Sequence, residues 1–480
     1  MFTDELRSTV WNEIGQADVR AFSPIFNTEQ VEAAADRAGL KLVQSPLNLV
    51  NLAWLAISCG LHGEENFAGV LTFTLGLLLD AGVGSFPPPQ KLPRNRKRHD
   101  PRQSDPTHVT EEAFTAARKR VPLAFWMALL AVLGQWFEAD HPEMIRWKTF
   151  RLVAMDGTEL NLPDWKALRE YFGATKNKSG KHLPQARMVM MQFPLARLPY
   201  RYELVPKKLS EKTVAVGMIK HLQPNDLLLL DRGFWSYEVF SLVLDQNAHF
   251  GIRLKKGALL KVVRRLGIND RLVQWNVPRK HKNKGYRPSM LLRKIDYQIP
   301  GFRPSSIITS VTDPQQTSRE DWVRLATETE PGAERLGLGL YHRRWEIETT
   351  FSEMKTYQGL GKKFRGRKPE AIAFEVFGHV LLYHLVRWLM VRAAVAKGLD
   401  PLRLSFVNAL REVNRMMRVL VVVSPRRATQ VLLPQLLDRI ARHLVPQRPG
   451  RHFPRPNDTK VKNKGNGEYR IPHKLPARKA

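Results

Sequence analysis

Cysteine is almost absent from this sequence of 480 residues, in which Cys59 is the only one. A disulfide within the chain and a zinc site built on several cysteines are therefore excluded. Cys59 lies in an apolar stretch, where we expect a small buried residue and not a reactive thiol. The first residues lack a basic segment followed by an apolar run, so the sequence does not predict a secretory signal.

Long hydrophobic runs are also scarce. The apolar stretches at residues 67–79 and 123–137 are shorter than the roughly 20 residues that span a bilayer. We interpret both as buried helices. The sequence therefore predicts a soluble protein in a reducing compartment, without a membrane partner.

Acidic residues are few compared with basic ones. The chain has 45 Asp and Glu against 76 Lys and Arg, a formal net charge of +31. Such an excess repels itself, so a polyanionic partner is its natural explanation. Nucleic acid is the first candidate, and an anionic membrane surface is the second. The membrane is disfavoured because no basic amphipathic helix with an exposed apolar face stands out.

Hydrophobic spacing and composition divide the chain into several regions. Residues 1–145 have helical spacing, interrupted near 85–108 by a proline-rich basic linker. Apolar strands and helices alternate over 146–248 and 332–395, around a β-rich stretch at 249–331. A helical region at 396–445 and a basic tail at 446–480, expected to be disordered, follow. This order predicts an α/β protein whose central sheet carries an antiparallel insertion and is flanked by helical regions at both ends of the chain.

Two aspartates follow apolar runs that we predict to be core strands. Asp156 comes after residues 150–155, and Asp231 comes after the leucine run at 227–230. The carboxyl ends of strands are where α/β sheets place ligands and catalytic groups. An isolated aspartate there is more often a cap or turn residue, so the pair leaves the catalytic and structural interpretations about equal.

A third acidic residue lies in the segment 339–356, which has the spacing of a long helix. In an α-helix, Tyr341, Arg344, Glu348 and Lys355 fall within an arc of roughly 60°. A solvated stripe with an Arg344–Glu348 pair is the alternative interpretation. We expect Trp345, beside this stripe, to pack in the core.

Three carboxylates from two strand ends and a helix would suit divalent metal ions. Mg²⁺ and Mn²⁺ prefer oxygen ligands, and two ions about 3.5–4 Å apart can promote in-line displacement at phosphorus. Asp156, Asp231 and Glu348 are thus the predicted catalytic and metal-binding residues. Arg344 and Lys355 would contact phosphates, and Tyr341 could hydrogen-bond or stack nearby.

At these residues the sequence resembles the DDE transposases of bacterial insertion sequences, of the IS-four type that includes the Tn-five and Tn-ten enzymes. That family has a helix motif of Tyr, two residues, Arg, three residues, Glu, six residues, Lys, which 341–355 matches at every position. Its two aspartates stand in contexts similar to Asp156-Gly157-Thr158 and Leu230-Asp231-Arg232-Gly233-Phe234. The resemblance covers residues from about 150 to 389.

The resemblance implies a ribonuclease-H-like catalytic core interrupted by the β insertion. It also implies a DNA transposase with two Mg²⁺ or Mn²⁺ ions, acting by cut-and-paste on terminal inverted repeats and target DNA. A homodimer in the DNA complex and a bacterial cytoplasmic location near the nucleoid are further implications. Arg253, Lys255 and Lys256 resemble the family's basic DNA contacts.

The chain departs from the family at one position. Members that form a DNA hairpin stack an aromatic residue of the insertion on a flipped base, whereas here the strand before Thr309 has no aromatic residue. Trp275 and Trp322 are the nearest candidates, and we expect both to be structural. Two other functions remain open: an inactive transposase-derived DNA-binding protein, and a ribonuclease-H-like nuclease that does not join strands.

Overall fold

A computed structural model describes residues 25–26, 28–41, 43, 45–62, 66–80, 109–176, 182–298, 304–323, 339–420 and 427–445. The predicted basic linker near 85–108 and the predicted tail at 446–480 lie outside the described residues.

The α-helices of the described residues are α1 (Thr28–Arg37), α2 (Leu49–Leu61), α3 (Phe67–Asp80), α4 (Glu111–Arg120), α5 (Leu123–Asp140), α6 (Lys166–Phe172), α7 (Glu211–Ile219), α8 (Tyr237–Asp245), α9 (Arg319–Val323), α10 (Glu346–Tyr357), α11 (Pro369–Lys397), α12 (Phe406–Leu420) and α13 (Leu433–Arg442). A 3-10 helix, Leu340–Trp345, leads directly into α10.

The strands of the described residues are β1 (Arg146–Trp147), β2 (Phe150–Asn161), β3 (Ala174–Lys176), β4 (His182–Phe193), β5 (Leu198–Pro206), β6 (Asp226–Leu230), β7 (His249–Arg253), β8 (Lys261–Gly267), β9 (Asp270–Asn276), β10 (Ser289–Tyr297) and β11 (Ser305–Thr309).

These strands form one mixed sheet. Its order is β4–β2–β6–β7–β11–β10–β9–β8; β3 and β5 pair with β4, and β1 pairs with β2. Strands β2, β6 and β7 run parallel, and the other pairings are antiparallel. Parallel strands joined to antiparallel ones, with helices around them, form the α/β core that was expected.

The antiparallel insertion extends the core sheet edge to edge. Strand β11 pairs with β7, so β8–β11 continue the sheet beyond its parallel part. The prediction was wrong in one respect: His249–Arg253 was assigned to the insertion, but it pairs in parallel with β6 and belongs to the core. A short apolar run has the same composition in either setting, so its pattern could not separate them.

Strand β6 is buried on both faces, as its unbroken leucine run predicts. Leu228 and Leu230 belong to the large cluster that includes most of the helices. Leu227 and Leu229 belong to a second cluster, covered by Trp322 and the 3-10 helix. The sheet is therefore enclosed on both sides, which holds its central strands rigid.

The helices from both ends of the described chain share one hydrophobic core. Helix α2 packs against α11, and their backbones approach closely at two glycines. A Cβ atom placed on Gly378 would lie 2.0 Å from the carbonyl oxygen of Ala56, and one on Gly60 would lie 3.3 Å from the carbonyl oxygen of Gly378. Only glycine permits this contact, since any side chain at Gly378 would meet backbone.

Helix α11 is long and apolar enough to cross a membrane, unlike the two stretches considered from the sequence. It has 29 residues, and 94% of its most apolar window is buried inside the protein. Burial on this scale identifies a core helix. The helical spacing of the region 1–145 includes α4 and α5, which the structure separates by a bend of 75° at Val121 and Pro122. Proline lacks an N–H donor and disfavours helical backbone at the residue before it.

We expect Gly378→Ala to destabilise the protein by roughly 1–3 kcal/mol or more, because overpacking against backbone cannot be relieved by a rotamer change. Gly217→Ala in α7 is the matched control, since nothing lies within 4 Å of its Cβ position. This control should stabilise the helix by up to about 1 kcal/mol. Denaturant unfolding measures both, and equal effects of the two substitutions would contradict the close packing.

Candidate active site

The register between β2 and β6 brings the two predicted aspartates together. It begins at Arg151 opposite Asp226 and ends at Met155 opposite Leu230. Asp156 and Asp231 are the next residues of the two strands. Asp231 follows the end of β6, as predicted, whereas β2 continues past Asp156 to Asn161 because it remains paired with β4.

A buried ion pair marks the other end of this register. Arg151 Nη1 donates to both carboxylate oxygens of Asp226, at 2.8 and 2.9 Å. Asp226 is fully buried, and Glu138 lies 3.2 Å from Nε of the same arginine. The two strands are therefore linked by charge where they begin and carry carboxylates where they separate.

Asp156 is largely withdrawn from solvent and has both acidic and basic neighbours. Burial, together with Asp231 and Glu211, raises the pKa of Asp156 to about 7, although the Gly157 N–H and Arg344 act in the opposite direction. The Gly157 N–H donates to Asp156 Oδ1 at 2.8 Å. All the acidic groups offer oxygen ligands, the type that Mg²⁺ and Mn²⁺ prefer. The chemical type of these donors thus suits a divalent cation.

Arg344 connects the third predicted carboxylate to this pair. Its Nη2 donates to Glu348 Oε1 at 2.8 Å, and its Nη1 lies 3.4 Å from Asp156 Oδ2. Burial opposes the charge of Arg344, but Tyr341, Glu348 and Asp231 outweigh it and raise the pKa of the guanidinium. Within the described residues, no group of three His, Cys, Asp or Glu side chains is arranged to hold a metal ion. Glu348 is instead turned toward Arg344 and is 46% exposed.

The sequence predicted one continuous helix over the motif 341–355, but the structure divides the motif between two kinds of helix. Tyr341 and Arg344 lie on the 3-10 helix, and Glu348 and Lys355 lie on α10. Short periodic patterns do not distinguish the two kinds of helix at their junction. Lys355 Nζ donates to Thr158 Oγ1 at 2.6 Å and to the carbonyl of Glu159 at 2.9 Å. The C-terminal part of the motif is thus fastened to β2.

Tyr341 is buried and joins three parts of the core. Its hydroxyl donates to the carbonyl of Leu230 at 3.1 Å and accepts from the N–H of Arg253 at 3.2 Å. Leu230 ends β6 and Arg253 ends β7. Tyr341 therefore supports the strand end that carries Asp231.

The predicted basic contacts differ in their surroundings. Arg253 is half-buried and donates through Nη2 to Ser305 Oγ at 2.9 Å. Lys255 and Lys256 are exposed and lie beside a cavity that Trp235 and Trp275 also line. The two lysines are therefore accessible to a partner.

The tryptophans divide into buried and exposed groups. Trp322 is fully buried, and its Nε1 donates to Thr317 Oγ1 at 3.0 Å. Trp275 packs on Trp235, with 5.2 Å between ring centroids. Trp345, which we expected in the core, is 46% exposed beside Arg344, because the 3-10 turn directs it away from the sheet.

Two residues near the predicted site were not found from the sequence. Arg197, in the turn between β4 and β5, donates to Glu346 at 2.6 Å and to Glu353 at 3.1 Å, which anchors α10 from below the motif. Glu211, in the first turn of α7, lies beside Gly157 and Gly233, which follow the two aspartates. Both contacts join segments distant in sequence, and no local pattern indicates them.

Comparison with known proteins gives consistent matches. Residues 147–385 match the family of the Transposase DDE domain. The transposase InsG for insertion sequence element IS4, from Escherichia coli strain K12, is 30% identical over 360 residues, covering 72% of this chain and 76% of that protein. InsZ of the same organism is 29% identical over 141 residues, covering 29% of this chain and 47% of InsZ. A cryo-EM structure of the piggyBac transposase synaptic complex with hairpin DNA aligns with 91% of this chain and 87% of its own, at a TM-score of 0.39 and 10% identity.

We expect Tyr341→Phe to lower the free energy of unfolding by about 1–2 kcal/mol, because it removes two buried hydrogen bonds. Tyr357→Phe is the control, since Tyr357 is 50% exposed. It should change the stability by less than about 0.5 kcal/mol. Chemical denaturation of both variants measures the difference, and an unchanged stability in Tyr341→Phe would show that the hydroxyl does not support the strand ends.

Proposed function

Since the chain belongs to the DDE transposases of the IS4 type, enzymes that cleave DNA and transfer its strands, we propose that Asp156, Asp231 and Glu348 are its catalytic triad. The observation that carries this proposal is the β2–β6 register, which makes the two aspartates neighbours. Arg344 contacts Asp156 and Glu348 and so links the third carboxylate to the pair.

The triad would bind two Mg²⁺ or Mn²⁺ ions. When bound, two such ions activate the attacking oxygen and stabilise the leaving oxygen of an in-line displacement at phosphorus. Burial raises the pKa of Asp156, and a divalent cation beside this carboxylate would favour its ionised form, which supports the assignment. For Glu348 to join the aspartates, its ion pair with Arg344 must open, and its partial exposure leaves room for that movement.

Arg344 would then pass from a carboxylate to a phosphate of the DNA backbone. A guanidinium binds either group through paired hydrogen bonds, so the exchange preserves its charge balance. Lys355 would contact the DNA backbone from the same side of the motif as Arg344. Contacts from the end of β7 would come from Arg253, Lys255 and Lys256. Tyr341 is a positioning residue in this scheme, because its hydroxyl already binds two backbone groups.

The DNA partners proposed are the terminal inverted repeats of the element and the target DNA. Cut-and-paste chemistry in a homodimeric complex, in the bacterial cytoplasm, is the course of reaction we propose. Phosphate contacts provide sequence-independent affinity, which the net charge of +31 supports. We assign recognition of the repeats to the helical region 1–145. A hairpin intermediate is not part of the proposal, because Trp322 is fully buried and Trp275 is packed on Trp235.

The proposal predicts metal-dependent nicking and joining of labelled DNA that carries the ends of the element. Glu348→Gln should reduce both by roughly a thousandfold or more, because losing a metal ligand removes several kcal/mol of transition-state stabilisation. Binding to the same DNA, measured by mobility shift, should be retained. Glu170→Gln is the matched control, since Glu170 is exposed on α6.

Three other results of this experiment would contradict part of the proposal. Binding without metal-dependent chemistry in the unsubstituted protein would favour a DNA-binding protein that has lost its activity. Cleavage without joining of 3′-hydroxyl ends to target DNA would favour a nuclease. Full activity of Glu348→Gln would remove Glu348 from the triad.

A further inference from the structure

We propose that Glu211 supplies a fourth carboxylate to the active site and strengthens its binding of divalent cations. This inference rests on the proposed function of Asp156 and Asp231. Glu211 lies in the first turn of α7, the helix that follows β5, and is therefore held by a different element from either aspartate.

Two glycines define where this carboxylate lies. A Cβ atom on Gly157 would be 2.7 Å from Glu211 Oε1, so a side chain at that position would collide with the carboxylate. A Cβ atom on Gly233 would lie 3.8 Å from Glu211 Oε2 and 3.9 Å from Asp231 Oδ2. Gly157 directly follows Asp156, and Gly233 follows Asp231 by two residues. Glu211 thus lies close to the residues that follow both aspartates.

The helix end explains why the side chain reaches this position. Ser210 caps α7 by accepting from the N–H of Thr213 at 3.2 Å, which fixes the first turn. A carboxylate in the first turn of a helix is also favoured by the helix dipole. The helix dipole thus acts against burial and the nearby acidic groups, which raise the pKa of Glu211.

The guanidinium of Arg187 is close to the carboxylate of Glu211 but does not form a hydrogen bond with it. Arg187 Nε lies 3.8 Å from Glu211 Oε1, beyond hydrogen-bonding distance, whereas Arg187 Nη2 donates to Glu159 at 3.2 Å. Among the residues the structure describes, neither oxygen of Glu211 accepts a hydrogen bond. Arg187 thus restrains Glu211 and leaves its oxygens able to face a cation.

The charges of the three groups act on one another. Glu211 and Asp231 both approach the Cβ position of Gly233, and Glu211 also approaches that of Gly157, the residue after Asp156, so the three acidic residues lie in one region of the protein. Like charges brought together in a partly buried site repel unless a cation lies among them. Removing one of them lowers the attraction for a divalent ion without removing the aspartates.

The test is a titration of the full chain with Mn²⁺, following free Mn²⁺ by electron paramagnetic resonance in the absence of DNA. Glu211→Gln should weaken Mn²⁺ binding roughly 10- to 100-fold, the range typical of residues that support metal ligands. Glu211→Asp keeps the charge and should recover part of the affinity. The Mn²⁺ concentration for half-maximal DNA cleavage should rise in the same order.

Glu159→Gln is the matched control, because it also removes an ion-pair partner of Arg187. Mn²⁺ affinity that falls equally in Glu159→Gln and Glu211→Gln would overturn the inference and assign both residues to the support of Arg187. The Asp231→Asn variant distinguishes failure of this inference from failure of the proposed metal site. If Asp231→Asn weakens binding and Glu211→Gln does not, the inference alone fails; if neither does, the proposed metal site fails as well.

Discussion

The active site depends on the buried pair of Arg151 and Asp226, which fixes how β2 and β6 align. Breaking such a pair leaves an uncompensated charge in the core, so any other alignment of the strands is strongly disfavoured. A shift by one residue would also turn every side chain of β6 to the opposite face. The same register that pairs Arg151 with Asp226 sets Asp156 beside Asp231, five residues further along each strand. The ion pair between Arg151 and Asp226 at one end of the two strands thus places the acidic residues Asp156 and Asp231 side by side at the other end.

Much of the site could be predicted because its parts are local in sequence. Each aspartate follows an apolar run, and the residues 341–355 repeat at helical spacing, so pattern alone indicated the elements. The alignment of β2 with β6 was not predictable, since it depends on an ion pair between residues distant in sequence. The 3-10 turn before α10 was also missed, and with it the exposure of Trp345. Such errors concern a change of helix type over a few residues, where periodicity carries little information.

Contacts between distant segments account for the rest. Arg197 and Glu211 were not recognised, because an arginine in a turn and a glutamate in the first turn of a helix are ordinary residues until the fold brings them to the site. The same holds for Gly378, whose importance lies entirely in its contact with α2. That contact joins the helical N-terminal region to the long core helix. The two regions were predicted as separate, but they share one hydrophobic core in the described residues.

Strand β8 ends the sheet formed by the described residues, and its position bears on how two copies of the chain would meet. An outermost strand offers unpaired N–H and C=O groups, on which a strand of another molecule can add. Here that strand carries Lys261, Arg264 and Arg265, all exposed. Two such strands brought side by side would place like charges against each other. The chain is thus protected from adhering to itself as long as these charges are not neutralised, and high salt or bound polyanion weakens that protection.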